Sequence, residues 1–447
     1  MIKMQLHQIA AIVNGRLVGK DVRIQGVSTD SRNCQPGQLF VALAGAHFDG
    51  AAFCQEAVKA GAVAVLVNRP VEVAAPQIIC DDSQTALAVL ASAWLQQCPA
   101  KVIAITGSNG KTTVKNMLYS VLKQKFKVHA TVGNLNNEIG LPLTVLALKP
   151  DSDFVILEMG AGQPGDIAYL CDIAPPDVAL VNNISAAHVG RFGNIDQIAK
   201  TKGDIYRALR PGGLAVVNKD DAYHGSWLIP EQVQQVGFGI QSNADYRLVT
   251  TSQQTVQVTT PDKQTICFQL PLAGQHNLMN ACAVVAMAHS LGVSAEQIAY
   301  GLSHFKPAAG RLQRHVFKQG GVLIDDSYNA NPASMSAALV VLQQLPKPQV
   351  LICGDMLELG DQAKEAHQAV GQQAKKYGID VVYTVGDWAE AVCQGFGQEN
   401  CHNYRQLDHL IKDVVKQVSR SGSVLVKASR GMRLEQVVDA LLEEVAA

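Results

Sequence analysis

The stretch Val102-Ile103-Ala104-Ile105-Thr106-Gly107-Ser108-Asn109-Gly110-Lys111-Thr112-Thr113 decides the fold of this chain. Its first residues form a short β-branched apolar run, and a glycine-rich turn leads straight into a helix-like stretch. Strand, loop and helix in that order are the setting of a phosphate cradle. Glycines let backbone N–H groups approach phosphate oxygens, and the helix N-terminus adds positive potential. Lys111 offers a charge to the β- and γ-phosphates and Thr112 a hydroxyl to magnesium. Gly107, Ser108, Asn109, Gly110, Lys111, Thr112 and Thr113 are therefore read as ATP-binding residues. The common spacing G-x-x-x-x-G-K-[ST] would put its first glycine at position 105, which is Ile105, so this loop is a shorter form. The alternative is an ordinary glycine turn with a solvated lysine; the flanking strand and helix argue against it.

Similar strand runs follow: Phe154 to Leu157 before Glu158, Val178 to Val181 before Asn182, and Leu214 to Val217 before Asn218. They predict a mostly parallel sheet. Between Tyr246 and Leu272 the pattern becomes alternating around Pro261-Asp262, as in an antiparallel insert at a sheet edge. Asn280 to Leu291 reads as an alanine-rich helix stopped by Gly292, and Ser294 with Gln297 as a capping box. The strand-then-glycine rhythm restarts at Val322, with runs at Val350 to Cys353, Val381 to Val385 and Val424 to Val426. Upstream, residues 1 to about 82 mix short apolar runs with turns. The fold class is α/β in three domains: 1–82, small; 83–312, a central phosphate-loop sheet with a β insert; and 313–447, Rossmann-like.

The bulk numbers fit that division. A chain of 447 residues exceeds the length at which single cores stop growing. It is 48% hydrophobic but only 5% aromatic, so aliphatic cores are expected. Thirty-seven Lys and Arg against 38 Asp and Glu leave no global field to recruit nucleic acid or an acidic membrane surface. Ten scattered cysteines without a C-x-x-C pair suggest reduced thiols in small core positions, neither disulfides nor zinc ligands. The first residues contain no uninterrupted apolar segment, and no run approaches about 18 apolar residues. A cytoplasmic protein without membrane insertion is expected, and a monomer, because no helix carries a heptad seam.

Acidic, histidine and lysine positions come next. Glu158 ends an apolar strand and precedes Gly160 and Gly162, which puts a carboxylate at the C-terminal edge of the sheet beside the phosphate loop, a place for a magnesium ligand. His188 follows another strand. Lys200 and Lys202 lie on a helix, where a surface role is the default.

The compact T-G-x-x-G-K-T loop resembles that of the Mur ligases and of their relatives the folylpolyglutamate synthetases, which activate a carboxylate with ATP and join it to an amine. The resemblance implies magnesium at Glu158, a second magnesium at His188, and a carbamylated lysine, for which Lys202 fits the spacing to Ile205-Tyr206 better than Lys200. Gly274 to Asn280 resembles the family's G-x-H-N-x-x-N element. It implies adenine contacts from Asn277 and Asn280, three apart on one helical face, with N-capping as the alternative for Asn277. Arg311 is implied at ATP. In Asp325-Asp326-Ser327-Tyr328-Asn329-Ala330-Asn331-Pro332 an acid near the nucleotide is implied; Asp325 and Asp326 are both candidates, and Asp326 is preferred. Asn331 and Pro332 also read as N-cap and first helical residue.

At the N-terminus, Ser28-Thr29-Asp30-Ser31-Arg32, with Gly45 and Asp49, resembles the family's UDP-sugar unit; a structural turn is the alternative. Asn134, Asn136 and Asn137 resemble its muropeptide loop. No D-N-P-R element of the diaminopimelate-adding branch is present. The motifs around Tyr328 and Asn329, Gly354 to Gly360 and Val426 to Glu435 resemble the branch that adds D-alanyl-D-alanine to a UDP-N-acetylmuramoyl-tripeptide. ATP and two magnesium ions are the implied cofactors, and an acyl phosphate the implied intermediate.

Overall fold

The computed structural model describes residues 1–45, 48–185, 189–241, 243–250 and 255–443. Its centre is a nine-stranded sheet in the spatial order 128–130, 154–158, 101–106, 178–181, 214–218, 234–239, 246–250, 255–259 and 265–269. The first seven strands pair in parallel. The last two add antiparallel, so the insert does sit at a sheet edge. The middle strands Lys101–Thr106, Phe154–Glu158 and Val178–Val181 are almost wholly buried. That explains why they read as continuous apolar runs: helices cover both faces of such a sheet.

Those faces are two separate cores. One packs Val114, Met117 and Leu118 of the helix Lys111–Leu122 with Ala281 to Ala288 of the helix Gln275–Ser290. The other joins the opposite face to the helix Ser83–Leu95 and to Ile2, Leu6 and Leu66 of the N-terminal unit. Asp82 caps that helix, its carboxylate accepting the Thr85 N–H at 2.6 Å. The N-terminal unit has a five-stranded mixed sheet in the order 16–18, 77–79, 64–67, 39–41 and 27–28. The C-terminal unit has six strands in the order 313–316, 322–326, 423–427, 349–354, 381–385 and 401–404, parallel except for the first pair. Among the described residues no helix is long and apolar enough to cross a membrane.

Two readings are corrected. The alanine-rich helix begins at Gln275, not Asn280, with Gly274 as its N-cap, so Asn277 lies inside the helix and does not cap it. The expectation of ten reduced cysteines fails at Cys393 and Cys401, which form a disulfide across a Cα–Cα distance of 5.3 Å. The helix Ala389–Phe396 runs through a turn into its neighbouring strand Cys401–Tyr404, so eight residues of separation become adjacency. A search for C-x-x-C cannot see that. The other eight thiols are free, and seven are buried.

Candidate active site

The phosphate loop joins the strand Lys101–Thr106 to the helix Lys111–Leu122. Gly110, the helix N-cap, has φ +81, and a Cβ there would lie 2.5 Å from Asn182 Nδ2 and 2.6 Å from Asn280 Oδ1, so only glycine fits. The loop is braced from the next strand. Asn183 Oδ1 accepts the Asn109 N–H at 2.9 Å, and Asn182 Nδ2 donates to the Asn109 carbonyl at 2.9 Å and to Asn280 Oδ1 at 2.7 Å. Asn280 in turn donates to Asn277 Oδ1 at 3.2 Å. The two asparagines three residues apart thus do share a face, but they are buried and lock to each other. The Lys111 Nζ donates to the Gly107 carbonyl at 2.7 Å. Burial pushes its pKa down, Glu158 opposes that and Arg311 adds to it. An anion placed on the loop would relieve the burial cost of this charge.

Glu158, only 3% exposed, ends its strand beside the loop. Thr112 Oγ1 donates to Oε2 at 2.9 Å and Asn136 Nδ2 to Oε1 at 2.9 Å. Lys115 Nζ stands 3.7 Å from Oε2. A buried carboxylate and a hydroxyl in contact are hard oxygen donors of the kind magnesium takes, so the residues present fit that ion. His188 lies outside the described residues, and among those described no group of three acidic, histidine or cysteine side chains converges. Lys202, on the helix Ile195–Arg207, is 3% exposed, whereas Lys200 is exposed. Among the described residues Lys202 has no hydrogen-bond or ion-pair partner, and burial followed by the Lys111 charge pushes its pKa far down.

The C-terminal unit closes the site. Arg311, at the end of the central unit, donates to Thr112 Oγ1 at 3.1 Å and lies 4.1 Å above the ring of Tyr328 from the C-terminal unit. Asn331 Nδ2 reaches Asn109 Oδ1 at 2.8 Å while its own Oδ1 caps the helix Pro332–Gln343. Arg191 pairs with Glu358 at 2.8 Å. The paired acids divide their work. Asp325 is buried and accepts from the Ser327 N–H, the Ser327 hydroxyl and the Gly310 N–H, all of them tying chain to chain. Asp326 faces the cavity and pairs with Lys427 at 2.6 Å.

Cavities lie between these elements. One, of about 380 Å³, is walled by the phosphate loop, Asn277, Asn280, Arg311, Asp326 and Lys427. A second, of about 1140 Å³, is walled by the Asn134 to Asn137 loop, Glu158, Gly160 to Asp166, Lys202 and Arg430. They share Lys111, Arg311, Tyr328 and Asn329. A third, of about 260 Å³, lies between Asn329 to Asn331, Leu357 to Leu359 and Ser429 to Gly431.

Ser28, Thr29, Asp30, Ser31, Arg32, Gly45 and Asp49 line none of these three. Asp30 binds Arg32 and Asn33 within its own turn and caps the short helix Ser31–Asn33. Asp49 pairs with Arg69. Sequence reasoning left unassigned Lys115, Arg191, Lys427 and Arg430. Lys427 and Arg430 lie in the V-K-A-S-R segment, whose strand pairs in register with Asp325 and Asp326; a strand-end lysine beside a strand-end acid was the available signal.

A parallel sheet that carries a phosphate loop, with a buried strand-end carboxylate, a second α/β unit closing over both and a larger cavity adjoining the loop, defines a nucleotide-dependent enzyme. Family models of the Mur ligases match almost the whole chain: the catalytic domain over residues 23–102, the middle domain over 105–288 and the glutamate ligase domain over 310–430. The chain belongs to the Mur ligase family. It is 39% identical over 450 residues, 99% of each chain, to a UDP-N-acetylmuramoyl-tripeptide–D-alanyl-D-alanine ligase of Escherichia coli strain K12. It superimposes with a TM-score of 0.91 on MurF from Acinetobacter baumannii (34% identity, 99% of each chain). It also matches MurF ligase from Thermotoga maritima in complex with ADP, with a TM-score of 0.84 at 30% identity over 94% of this chain and 98% of that one.

Proposed function

We propose that this chain is a MurF-type ligase, which uses ATP to join D-alanyl-D-alanine to UDP-N-acetylmuramoyl-tripeptide and gives the pentapeptide, ADP and phosphate. The observation that carries this reading is the meeting of a nucleotide-sized cavity and a larger one at Lys111, Arg311 and Tyr328, in a chain with full-length likeness to such ligases. A tripeptide carboxylate oxygen attacks the γ-phosphorus and the bond to ADP breaks. The dipeptide amine then attacks the acyl carbon, phosphate leaves and the amine loses a proton. Both partners of the first step are anions, so Lys111 and Arg311, which flank the junction, offset the charge that would keep them apart.

Thr112 and Glu158 are the groups that would hold magnesium, which when bound neutralises phosphate oxygens; His188 is the proposed ligand of a second ion. Lys202 is assigned as a carbamate: its buried amine, which has no partner among the described residues and lies beside Lys111, suits addition of carbon dioxide with loss of a proton, and intact-mass measurement tests it. Asn277, Asn280 and Asp326 are assigned to the nucleoside, and Asn134, Asn136 and Asn137 to the muropeptide. The N-terminal unit, residues 1–82, is assigned to the UDP end, on the likeness of its Ser28 to Arg32 turn. Residues 83–312 take ATP and 313–447 the dipeptide. The third cavity suits that dipeptide, with Arg430 for its carboxylate and Leu357 and Ala330 against its methyl groups. The Arg311, Asn331 and Arg191 contacts hold the two units together and keep water from the acyl phosphate. Action as a cytoplasmic monomer completes the reading, and light scattering checks the monomer.

The experiment is ADP release with UDP-muramoyl tripeptide and D-alanyl-D-alanine, set against UDP-muramoyl dipeptide with diaminopimelate or lysine. Turnover with the first pair alone is expected. Turnover with the second alone would move the chain to the tripeptide-forming branch.

A further inference from the structure

Lys115 is a buried cation for which the reaction just described has no use. It follows Lys111 by four residues on the helix Lys111–Leu122, one turn further from the phosphate loop and on the same side. Its side chain is 4% exposed. The Nζ donates to the Thr131 carbonyl at 2.7 Å and stands 3.7 Å from Glu158 Oε2. Thr131 in turn accepts the Glu158 backbone N–H on its hydroxyl at 3.0 Å, and its chain continues into the Asn134 to Asn137 loop, whose Asn136 donates to Glu158 Oε1. One ammonium therefore ties together the phosphate-loop helix, the strand end that carries Glu158 and the root of the loop that walls the larger cavity.

The geometry is not that of a simple ion pair. The short bond goes to a carbonyl, and the carboxylate lies just beyond hydrogen-bond length. Anchored in this way, the charge offsets that of a buried carboxylate without occupying its oxygens, which stay available to Thr112, Asn136 and a metal ion. Lys115 lines neither of the two large cavities, so it touches no reactant.

We propose that Lys115 is a positioning residue for the ligase reaction: it fixes Glu158 and the Thr131 root of the muropeptide loop against the phosphate loop, and so couples the carboxylate-substrate cavity to the nucleotide cavity. This rests on the function proposed above. Because it acts between the cavities, its loss separates quantities that a general loss of structure would move together.

The test uses the full chain, Lys115→Met, which keeps the side-chain length, and Lys115→Arg, which keeps the charge. For Lys115→Met, ADP affinity without magnesium and the KM for ATP stay within about twofold of wild type. The kcat falls at least about tenfold and the KM for the UDP-muramoyl tripeptide rises. Lys115→Arg recovers most of the kcat. Magnesium and ADP together raise the melting temperature of Lys115→Met more than that of wild type, because a divalent cation replaces the missing counter-charge. Unchanged kcat and tripeptide KM in Lys115→Met would overturn the proposal, and so would ADP and tripeptide affinities that fall together. A wild-type chain inactive on the tripeptide pair would instead overturn the ligase reading on which the role depends.

Discussion

The two sheets that face the active site end in different chemistry. At the edge of the central sheet, Lys111 lines both of the larger cavities, Thr112 one and Glu158 the other, and their hydrogen bonds are ones a ligand can replace. At the edge of the C-terminal sheet, Asp325 is consumed by Ser327 and Gly310, and Asp326 is paired with Lys427, which is almost fully buried and also donates to the Asn329 carbonyl. Both follow the rule that ligands meet parallel sheets at the carboxyl ends of strands. On the proposed function the first edge supplies reacting charges, whereas the second mostly supplies shape and brings Tyr328 and Arg430 to the first.

If that contrast is right, substitutions at the two edges separate turnover from stability. The largest effect falls on the central edge: Lys111→Ala lowers kcat/KM by about a thousandfold or more, since on the proposed function it removes the charge that faces the transferring phosphoryl group. Steady-state ADP release measures this, and its melting temperature stays close to that of wild type. On the C-terminal edge, Lys427→Met strands the Asp326 carboxylate and lowers unfolding free energy by about 3 to 5 kcal/mol, as read from urea denaturation of the C-terminal unit. A Lys427→Met protein of unchanged stability would erase the contrast. Arg430→Ala sharpens it from the third cavity. The KM for D-alanyl-D-alanine rises about tenfold or more while the KM for ATP holds, because the lost contact is with one substrate alone.

The smallest effect is one of pH. His367 is buried, donates from Nδ1 to the Ala363 carbonyl at 2.6 Å and accepts the Met356 N–H on Nε2 at 2.8 Å, so it is neutral in the fold. Burial lowers its pKa, against smaller opposing contributions from Ala363 and Asp355. Below the ordinary histidine value of about 6.5 the unfolded chain binds a proton that the fold refuses, so stability is full above that pH and falls as pH drops toward the lowered value. Urea unfolding at pH 8 and pH 5.5 shows the loss. His367→Gln makes it shallower, although the half-buried His129 and His276, whose pKa values are also pushed down by burial, keep part of it.

The same contrast explains what could be read from the sequence. The central edge is legible because its chemistry is local: Gly107 to Thr113 is contiguous, and Glu158 ends an unbroken apolar strand. The parallel architecture was legible for the same reason, through the runs at 154–157, 178–181, 214–217 and 350–353. Lys427 was not assigned because its partner Asp326 lies 101 residues away, and only the pairing of strands 322–326 and 423–427 brings them together. Lys115 was left unassigned because its burial depends on Thr131 and Glu158, which the sequence places 16 and 43 positions off. The Cys393–Cys401 bond was hidden behind a turn of irregular length. The Ser28 to Arg32 turn was legible as a motif, and the structure adds that Asp30 accepts from the Arg32 N–H and from the Arg32 and Asn33 side chains.

The fate of the substrate oxygen tests whether an acyl phosphate forms. UDP-muramoyl tripeptide with isotopically heavy oxygen in the terminal carboxylate is turned over with ATP and D-alanyl-D-alanine, and the released phosphate is analysed by mass spectrometry. Phosphate that carries one heavy oxygen is the predicted result, because that oxygen bridges carbon and phosphorus in the acyl phosphate and leaves with phosphorus. Unlabelled phosphate, with amide formed and ADP released, would contradict the account.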